Sequence, residues 1–344
     1  MDRFLFFVKL NSYYFNLLMN MSIIRWGMIG CGSVTEVKSG PAFNKVAYSS
    51  LRVVMGRDAA KVKDYATRHH VPHYCTDVNE LINHPEVDAI YIATPPQFHE
   101  PYAIAAMEAK KPVYIEKPMA LDVEACLRIA DFSKKSGIKL VIAHYRRALP
   151  LFMQVKKLLD QNIVGKVHSV NINMQKSAGG NLNLKENWRL DPKIAGGGYF
   201  YDLAPHQLDL VFYFFGKAIS YQGKASNQAG LYEVEDTVNG TMLMQNGIQF
   251  KGDWCFCAAQ ENEIDLFEIV GEYGKISFPV FGNDITVEKE GKIEVIHFDP
   301  PMHNQQNLIH QVVQHFLEQA ENPCSAEDAI QSMRVMQAFV YGNN

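Results

Sequence analysis

The chain has no Cys-x-x-Cys pair and no Cys/His spacing of the kind a zinc site requires, although it has six cysteines, at 31, 75, 126, 255, 257 and 324. That excludes a zinc-stapled fold and reads the six as reduced thiols of a cytoplasmic protein. Cys255 and Cys257, two apart, would share one side of a strand and could bind something together; the plainer reading makes them small buried residues. An apolar run of the ~18 residues a membrane span needs is also missing. In the opening MDRFLFFVKLNSYYFNLLMN, Lys9, Asn11 and Ser12 interrupt the apolar residues, Asp2 offsets Arg3, and no Ala-x-Ala follows. Neither a span nor a secretory signal fits. With Met21 directly before the patterned SIIRWGMIGCG, residues 1–22 are expected to be a leader or start-site extension outside the fold. Positive charge is not in excess: 33 Lys and Arg against 37 Asp and Glu leave a formal charge of −4. A nucleic-acid partner is therefore not expected. There is no internal repeat and no low-complexity linker, so a solenoid or a flexible tether is excluded. What remains is an ordinary globular mixture of 344 residues, 47% hydrophobic and 20% charged, long enough for two domains of roughly 150 residues.

The two halves follow different patterns. From 23 to about 145, short apolar runs (IIRWGMIG, LRVVMG, AIYIAT, PVYIEKP, KLVIAHY) alternate with amphipathic stretches near 58–69, 77–83, 100–109 and 122–136. That alternation predicts a doubly wound α/β domain with a parallel sheet. Asp122 and Gly137 stand where an N-cap and a C′ glycine belong. After a helix near 150–160, residues 146–344 turn to period-two segments such as KVHSVNINMQ and IQFKGDWCFCA, which predict a largely antiparallel sheet. Helices are expected again near 303–320 and 325–340.

The first apolar run closes on Gly30-Cys31-Gly32-Ser33-Val34-Thr35. Two glycines there supply the tight turn and close backbone approach that a pyrophosphate on a helix N-terminus requires. Thr35 stands where Gly or Ala is usual, which would hold the helix slightly off the sheet. The second run ends Val54-Met55-Gly56-Arg57-Asp58 with no acid at its tip, and Lys61 follows one turn on. An acid there would read the 2′-hydroxyl of NAD, whereas Arg57 suits the 2′-phosphate of NADP. NADP is the expectation, with NAD open and Asp58 read as a cap for the next helix. His69, His70 and His73 cluster in sequence, but solvated imidazoles at a helix end explain them better than a metal, and no metal site is expected.

Three further motifs follow: Ala93-Thr94-Pro95-Pro96 with His99, Glu116-Lys117-Pro118, and Gly196-Gly197-Gly198-x3-Asp202-x3-His206. In this order, behind the glycine loop, they resemble the glucose-fructose oxidoreductase, inositol dehydrogenase and rhizopine-catabolism (Gfo/Idh/MocA) family from about Ile24 to the last helix. The resemblance implies an N-terminal Rossmann domain and a C-terminal α/β domain whose large, mostly antiparallel open sheet forms the subunit interface of a homodimer or homotetramer. It implies a catalytic group of Lys117, Asp202 and His206 and a cis Lys117–Pro118 peptide. Cofactor contacts would come from Gly30, Gly32, Ser33, Val34 and Arg57, and from Thr94, Pro95, His99, Glu116, Lys117 and Pro118.

Hydride transfer at a carbinol carbon also moves a proton on its oxygen, and an imidazole suits that near neutrality. His206 is read as the acid/base. Lys117 would stabilise alkoxide charge or donate the proton itself. Asp202, one helical turn before His206, would orient substrate hydroxyls or the imidazole, and Asp209 is a weaker candidate. Arg146, after Tyr145, and Trp188-Arg189 would join Lys117, Asp202 and His206 in a substrate wall suited to a polyhydroxylated ring. Similar Trp-Arg segments occur in sugar-handling members of the family. The expected activity is oxidation or reduction of a sugar, cyclitol or related polyol. The rivals are a redox-assisted glycosidase of the same superfamily and a non-catalytic dinucleotide sensor.

Overall fold

The structure, a computed structural model, describes residues 23–177 and 187–342; the proposed leader, 1–22, lies outside them. The first half is a parallel sheet of six strands in the order β3-β2-β1-β4-β5-β6. These are β1 (Ile24–Ile29), β2 (Ser49–Met55), β3 (His73–Cys75), β4 (Ala89–Ile92), β5 (Val113–Ile115) and β6 (Leu140–Ile142). That is the Rossmann strand order, whose reversal between β1 and β4 opens a crevice at the strands' C-terminal ends. β4, β5 and β6 are buried at every position, as strands covered on both faces must be. β3 is the strand the five apolar runs did not include: its HYC is too short and too polar to show a pattern.

The connecting helices start where side chains satisfy their free N–H groups. Asp58 accepts from the amides of Ala60 and Lys61 to start α2 (Ala59–Arg68), after the short α1 (Ser33–Val37). Asp77 likewise caps α3 (Val78–Ile82), which precedes α4 (His99–Glu108). Asp122 caps α5 (Val123–Ser136), which Gly137 ends in the left-handed region at φ 71°. The expected helix after the glycine loop is thus only five residues long. Thr35 is fully buried, its hydroxyl donating to Gly32 O at 2.8 Å while its own carbonyl accepts from the Tyr65 hydroxyl.

The histidine cluster meets the expectation of solvated imidazoles only in part, for His70 and much of the His73 side chain are exposed. His69 is largely covered, with Nε2 2.8 Å from Glu36, and His73 sits on β3 with its ring 4.8 Å from that of His84. Among the described residues no group of three or more potential ligands is placed to hold a metal.

After α6 (Pro150–Asp160), eight strands form the second sheet in the order β14-β13-β12-β11-β7-β10-β9-β8. They are β7 (Val167–Ser177), β8 (Ala218–Ser226), β9 (Thr237–Met244), β10 (Gln249–Ala258), β11 (Ile264–Gly271), β12 (Gly274–Phe278), β13 (Asp284–Lys289) and β14 (Lys292–His297). All pairs are antiparallel except β7 with β10. One face is apolar: Val170, Ile172, Met174, Trp254 and Phe267 are buried against the helical layer. That layer includes α8 (Tyr199–Phe215), which follows the one-turn α7 (Pro192–Ala195), and α10 (Ala326–Tyr341), which follows α9 (Gln306–Phe316). Gln207 of α8 accepts from the Trp254 indole at 2.6 Å, tying helix to sheet.

On the other face Thr241, Leu243 and Lys251 are exposed. Cys255 and Cys257 lie on that face, half-exposed with their sulfurs 3.5 Å apart, not buried as the plainer reading had it. The strand alternation that buries Trp254 and Phe256 turns both thiols outward. Among the described residues no helix is long and apolar enough to cross a membrane.

Candidate active site

A cleft of about 640 Å³ runs along the C-terminal ends of β1, β2, β4 and β5 and is closed on one side by residues of the second half. Its floor is the glycine loop. Gly30 has φ 105°, and a Cβ there would stand 2.7 Å from Ala93 O, so only glycine fits. At Gly32 a Cβ would meet no protein atom within 4 Å. The backbone there stays bare toward the cleft, which is the close approach a pyrophosphate needs. Further along, the Thr94 hydroxyl is buried without a partner, a donor left for something in the cleft. Arg57 lies at the far end, exposed, with its guanidinium carbon 5.3 Å from the Phe98 ring centroid.

Where the two halves meet, the cis Lys117–Pro118 peptide follows β5. The Lys117 ammonium crosses to α8 and donates to both Oδ1 and the carbonyl of Asp202, each at 2.7 Å. Asp202 Oδ2 accepts from Arg189 Nε at 3.1 Å, and the Arg189 guanidinium lies 4.5 Å from the Trp188 ring. Burial works against the Asp202 carboxylate. The cations of Lys117 and Arg189 outweigh it, so the pKa lies below the usual carboxylate range. The position of Asp202 in the first turn of α8 acts the same way. The glycine run shapes this corner. Gly196 ends α7 at φ 89°, and a Cβ on Gly197 would enter the Tyr201 ring.

Behind Lys117, Glu116 is buried with Oε1 accepting from the Tyr91 hydroxyl and from Gln305 Nε2, both at 2.5 Å. Gln305 in turn accepts from the Tyr114 hydroxyl. Gln305 stands just before α9, so the C-terminal segment locks the backbone that carries the lysine. Sequence reasoning missed it, since a lone glutamine 189 residues from its partner gives no local signal.

The residues 24–144 match the family model described as an oxidoreductase family with an NAD-binding Rossmann fold, and 152–277 match the C-terminal domain model of the same Gfo/Idh/MocA group. The chain belongs to the Gfo/Idh/MocA oxidoreductase family. It is 43% identical over 320 residues to oxidoreductase P35 of Formosa agariphila, covering 92% of this chain and 98% of that one. Inositol 2-dehydrogenase of Acidothermus cellulolyticus is 30% identical over 212 residues, 60% of this chain and 59% of its own. In fold the chain is similar to levoglucosan dehydrogenase solved with NADH and levoglucosan, with a TM-score of 0.81 at 22% identity over 92% of this chain and 96% of that one.

In this Gfo/Idh/MocA oxidoreductase most of the expected site residues converge. Gly30, Gly32, Ser33, Val34 and Arg57 line the cleft with Thr94, Pro95, Glu116, Lys117 and Pro118, and Trp188, Arg189 and Asp202 close it. Five expected placements need correction, those of His99, Asp209, Asp202, His206 and Arg146. His99 does not reach the cleft: it is fully buried, its ring nitrogens 2.8 Å from Thr94 O and 3.0 Å from Pro118 O. It staples two cleft loops together, and burial pushes its pKa down to about 4. Asp209 is no catalytic candidate, because both its oxygens are taken by Arg147 in a buried bidentate pair. Asp202 is spent on Lys117 and Arg189, and the buried Nδ1 of His206 has no partner. His206 lies deeper than the cleft wall, its ring 5.2 Å from Tyr145 and 5.8 Å from Phe281. Arg146 is also buried, with Nη1 donating to Val280 O and its guanidinium 4.2 Å from the Phe281 ring. It borders a second cavity on the far side of Tyr145.

Proposed function

We propose that the protein oxidises or reduces a sugar, cyclitol or related polyol with a nicotinamide dinucleotide, NADP in preference to NAD. The observation that carries this reading is the Lys117 ammonium, anchored by Asp202 at 2.7 Å in the wall of the cleft. A bound nicotinamide dinucleotide supplies the hydride acceptor or donor. Gly30, Gly32, Ser33 and Val34 would hold its pyrophosphate, and the unpartnered Thr94 hydroxyl supports the fit. Support for NADP is that Asp58 is engaged as a helix cap while Arg57 stays unpaired by an acid at the strand tip.

The chain's own groups then divide the work. Lys117 stabilises negative charge on the reacting oxygen, and Asp202 with Arg189 fixes the ammonium's position. Trp188 and Arg189 offer an aromatic face and a guanidinium to a hydroxylated ring. Burial, reinforced by Lys117, Arg146, His144 and Lys38, holds His206 well below its ordinary pKa. His206 is read as the base in the oxidative direction, a role that requires the neutral imidazole.

The family's habit and the uncovered outer face of the second sheet support a homodimer or homotetramer. The six free cysteines support a cytoplasmic location. The test is titration with NADPH and NADH by fluorescence, followed by a sugar and polyol panel read by nicotinamide absorbance. Preferential NADPH binding with turnover on one class is expected. Tight binding without net turnover would favour a redox-assisted glycosidase or a sensor, and no dinucleotide binding would overturn the reading.

A further inference from the structure

Trp188 and Arg189 close the cleft, yet they are held there indirectly. Among the described residues the Trp188 ring packs on no other ring, and its one cation neighbour is the Arg189 guanidinium, 4.5 Å from the ring centre. Both residues belong to a single short turn, Trp188–Leu190. Where they point therefore follows from where that turn is held.

The turn is fastened to α8 at two points. One is the bond from Arg189 Nε to Asp202 Oδ2, on the carboxylate that also anchors Lys117. The other is made by Asn187, the residue before the turn. Its Oδ1 accepts from the Arg189 amide at 3.3 Å, and its Nδ2 donates to the Tyr199 hydroxyl at 2.9 Å. One side chain thus caps the turn and ties it to the start of the helix.

Tyr199 is itself firmly placed. It is the first residue of α8, its ring edge-on to Tyr232 at 6.0 Å and against Phe256 at 5.9 Å. The preceding Gly198 amide donates to the buried Glu235 carboxylate at 2.9 Å, and a Cβ on Gly198 would stand 2.8 Å from Glu235 O. Phe256 belongs to β10, and Tyr232 and Glu235 to the loop ahead of β9. The second sheet fixes the tyrosine, and the tyrosine fixes the turn. Neither Asn187 nor Tyr199 borders the cleft.

We infer that Asn187 and Tyr199 are positioning residues that set substrate selectivity from outside the cleft: their hydrogen bond fixes the angle at which Trp188 and Arg189 meet a hydroxylated ring. The inference rests on the proposed oxidoreductase activity and names what shapes its substrate wall. Without that bond the turn pivots on the Arg189–Asp202 contact. Lys117 keeps its anchor, so ring binding suffers while the chemical step does not.

Tyr199→Phe removes the hydroxyl and keeps the ring, whereas Asn187→Ala removes both side-chain bonds. In the full-length protein with its preferred dinucleotide, kcat and KM are measured for D-glucose, D-galactose and myo-inositol. Each variant is expected to raise the sugar or polyol KM by roughly 5- to 10-fold, with kcat within about twofold of wild type and the dinucleotide KM unchanged. The double variant is expected to match Asn187→Ala, because both substitutions act through one bond. Additive effects, a fall in kcat equal to the rise in KM, or a wild-type KM in Tyr199→Phe overturns the inference while leaving the oxidoreductase reading intact.

A second readout needs no substrate. Of the three tryptophans, Trp26 and Trp254 are fully buried and Trp188 is half-exposed, so acrylamide quenching of indole emission reports on Trp188. Both variants are expected to raise the quenching constant of that one component, with the other two tryptophans still shielded; a fold loosened throughout would expose all three. If Tyr199→Phe does not fold, Asn187→Ala carries the test. Where none of the three compounds turns over, quenching decides: a higher constant for Trp188 alone supports the inference. An unchanged constant overturns it whatever the kinetics, and a protein that binds no dinucleotide overturns both readings.

Discussion

Lys117 Nζ lies 2.7 Å from Asp202 Oδ1, so the strand that ends the dinucleotide cleft is joined by charge to the first turn of α8 in the other half of the chain. The contact fixes an ammonium that would otherwise sample many rotamers, and it does so where the glycine loop and the Trp188-Arg189 wall face each other. A group held in place before reaction costs no reorganisation when charge develops beside it.

Removing that charge is expected to damage turnover more than cofactor binding. Lys117→Ala and His206→Ala should each reduce turnover by roughly 10²-fold or more. NADPH or NADH titration should stay close to wild type, because the glycine loop is untouched. Full activity in either variant would remove that residue from the reaction.

Arg57→Ala is expected to weaken NADPH more than NADH, by roughly tenfold in Kd, since only the former carries a 2′-phosphate for the guanidinium. Fluorescence titration of both dinucleotides on both proteins checks this. Equal weakening would mean that Arg57 serves the adenine end generally or packs only on Phe98.

The Arg147–Asp209 pair is a structural bond within the second half, holding the segment after β6 to α8, and is reinforced by Asp328 at 3.4 Å from Arg147 Nη1. Asp209→Ala leaves a buried guanidinium with Asp328 as its one acid, and a loss of about 3–5 kcal/mol is expected from denaturant unfolding. Loss of activity without loss of stability in this variant would return Asp209 to the catalytic group.

Acid should destabilise the fold before carboxylates titrate. Burial lowers the pKa of His99 to about 4, and it also lowers those of His144 and His206. These rings stay neutral in the folded protein, while in the unfolded chain they take up protons below about pH 6.5. The unfolded state therefore binds more protons as pH falls, and stability drops from pH 6.5 toward pH 5 by at most about 4 kcal/mol per unit for three such rings. Exposed His297, whose pKa is raised by its hydrogen bond to Asp284, works in the opposite direction. Chemical denaturation at several pH values reads the slope. A flat profile would mean that the rings protonate in the fold.

The sequence alone determined what local chemistry dictates. The apolar runs of β1, β2, β4, β5 and β6 and the capping residues Asp58 and Asp122 set the first sheet and its helices, and the bare backbone at Gly30 and Gly32 marks the dinucleotide floor. Period-two segments set the second sheet. Motif order brought Lys117 and Asp202 under suspicion before any contact was visible. Tertiary structure decided what depends on residues far apart in the chain. His99 and Asp209 look like site residues by type, and only packing shows the one buried between two carbonyls and the other consumed by Arg147. Cys255 and Cys257 face outward because the register of β10 puts Trp254 and Phe256 inside. Gln305 beneath Glu116, and Arg146 packed among the rings of Tyr145, Phe152 and Phe281, are the same kind of fact. Whether a charge is paired depends on what folding carries to within about 3 Å of it, and neither residue type nor spacing along the chain records that distance.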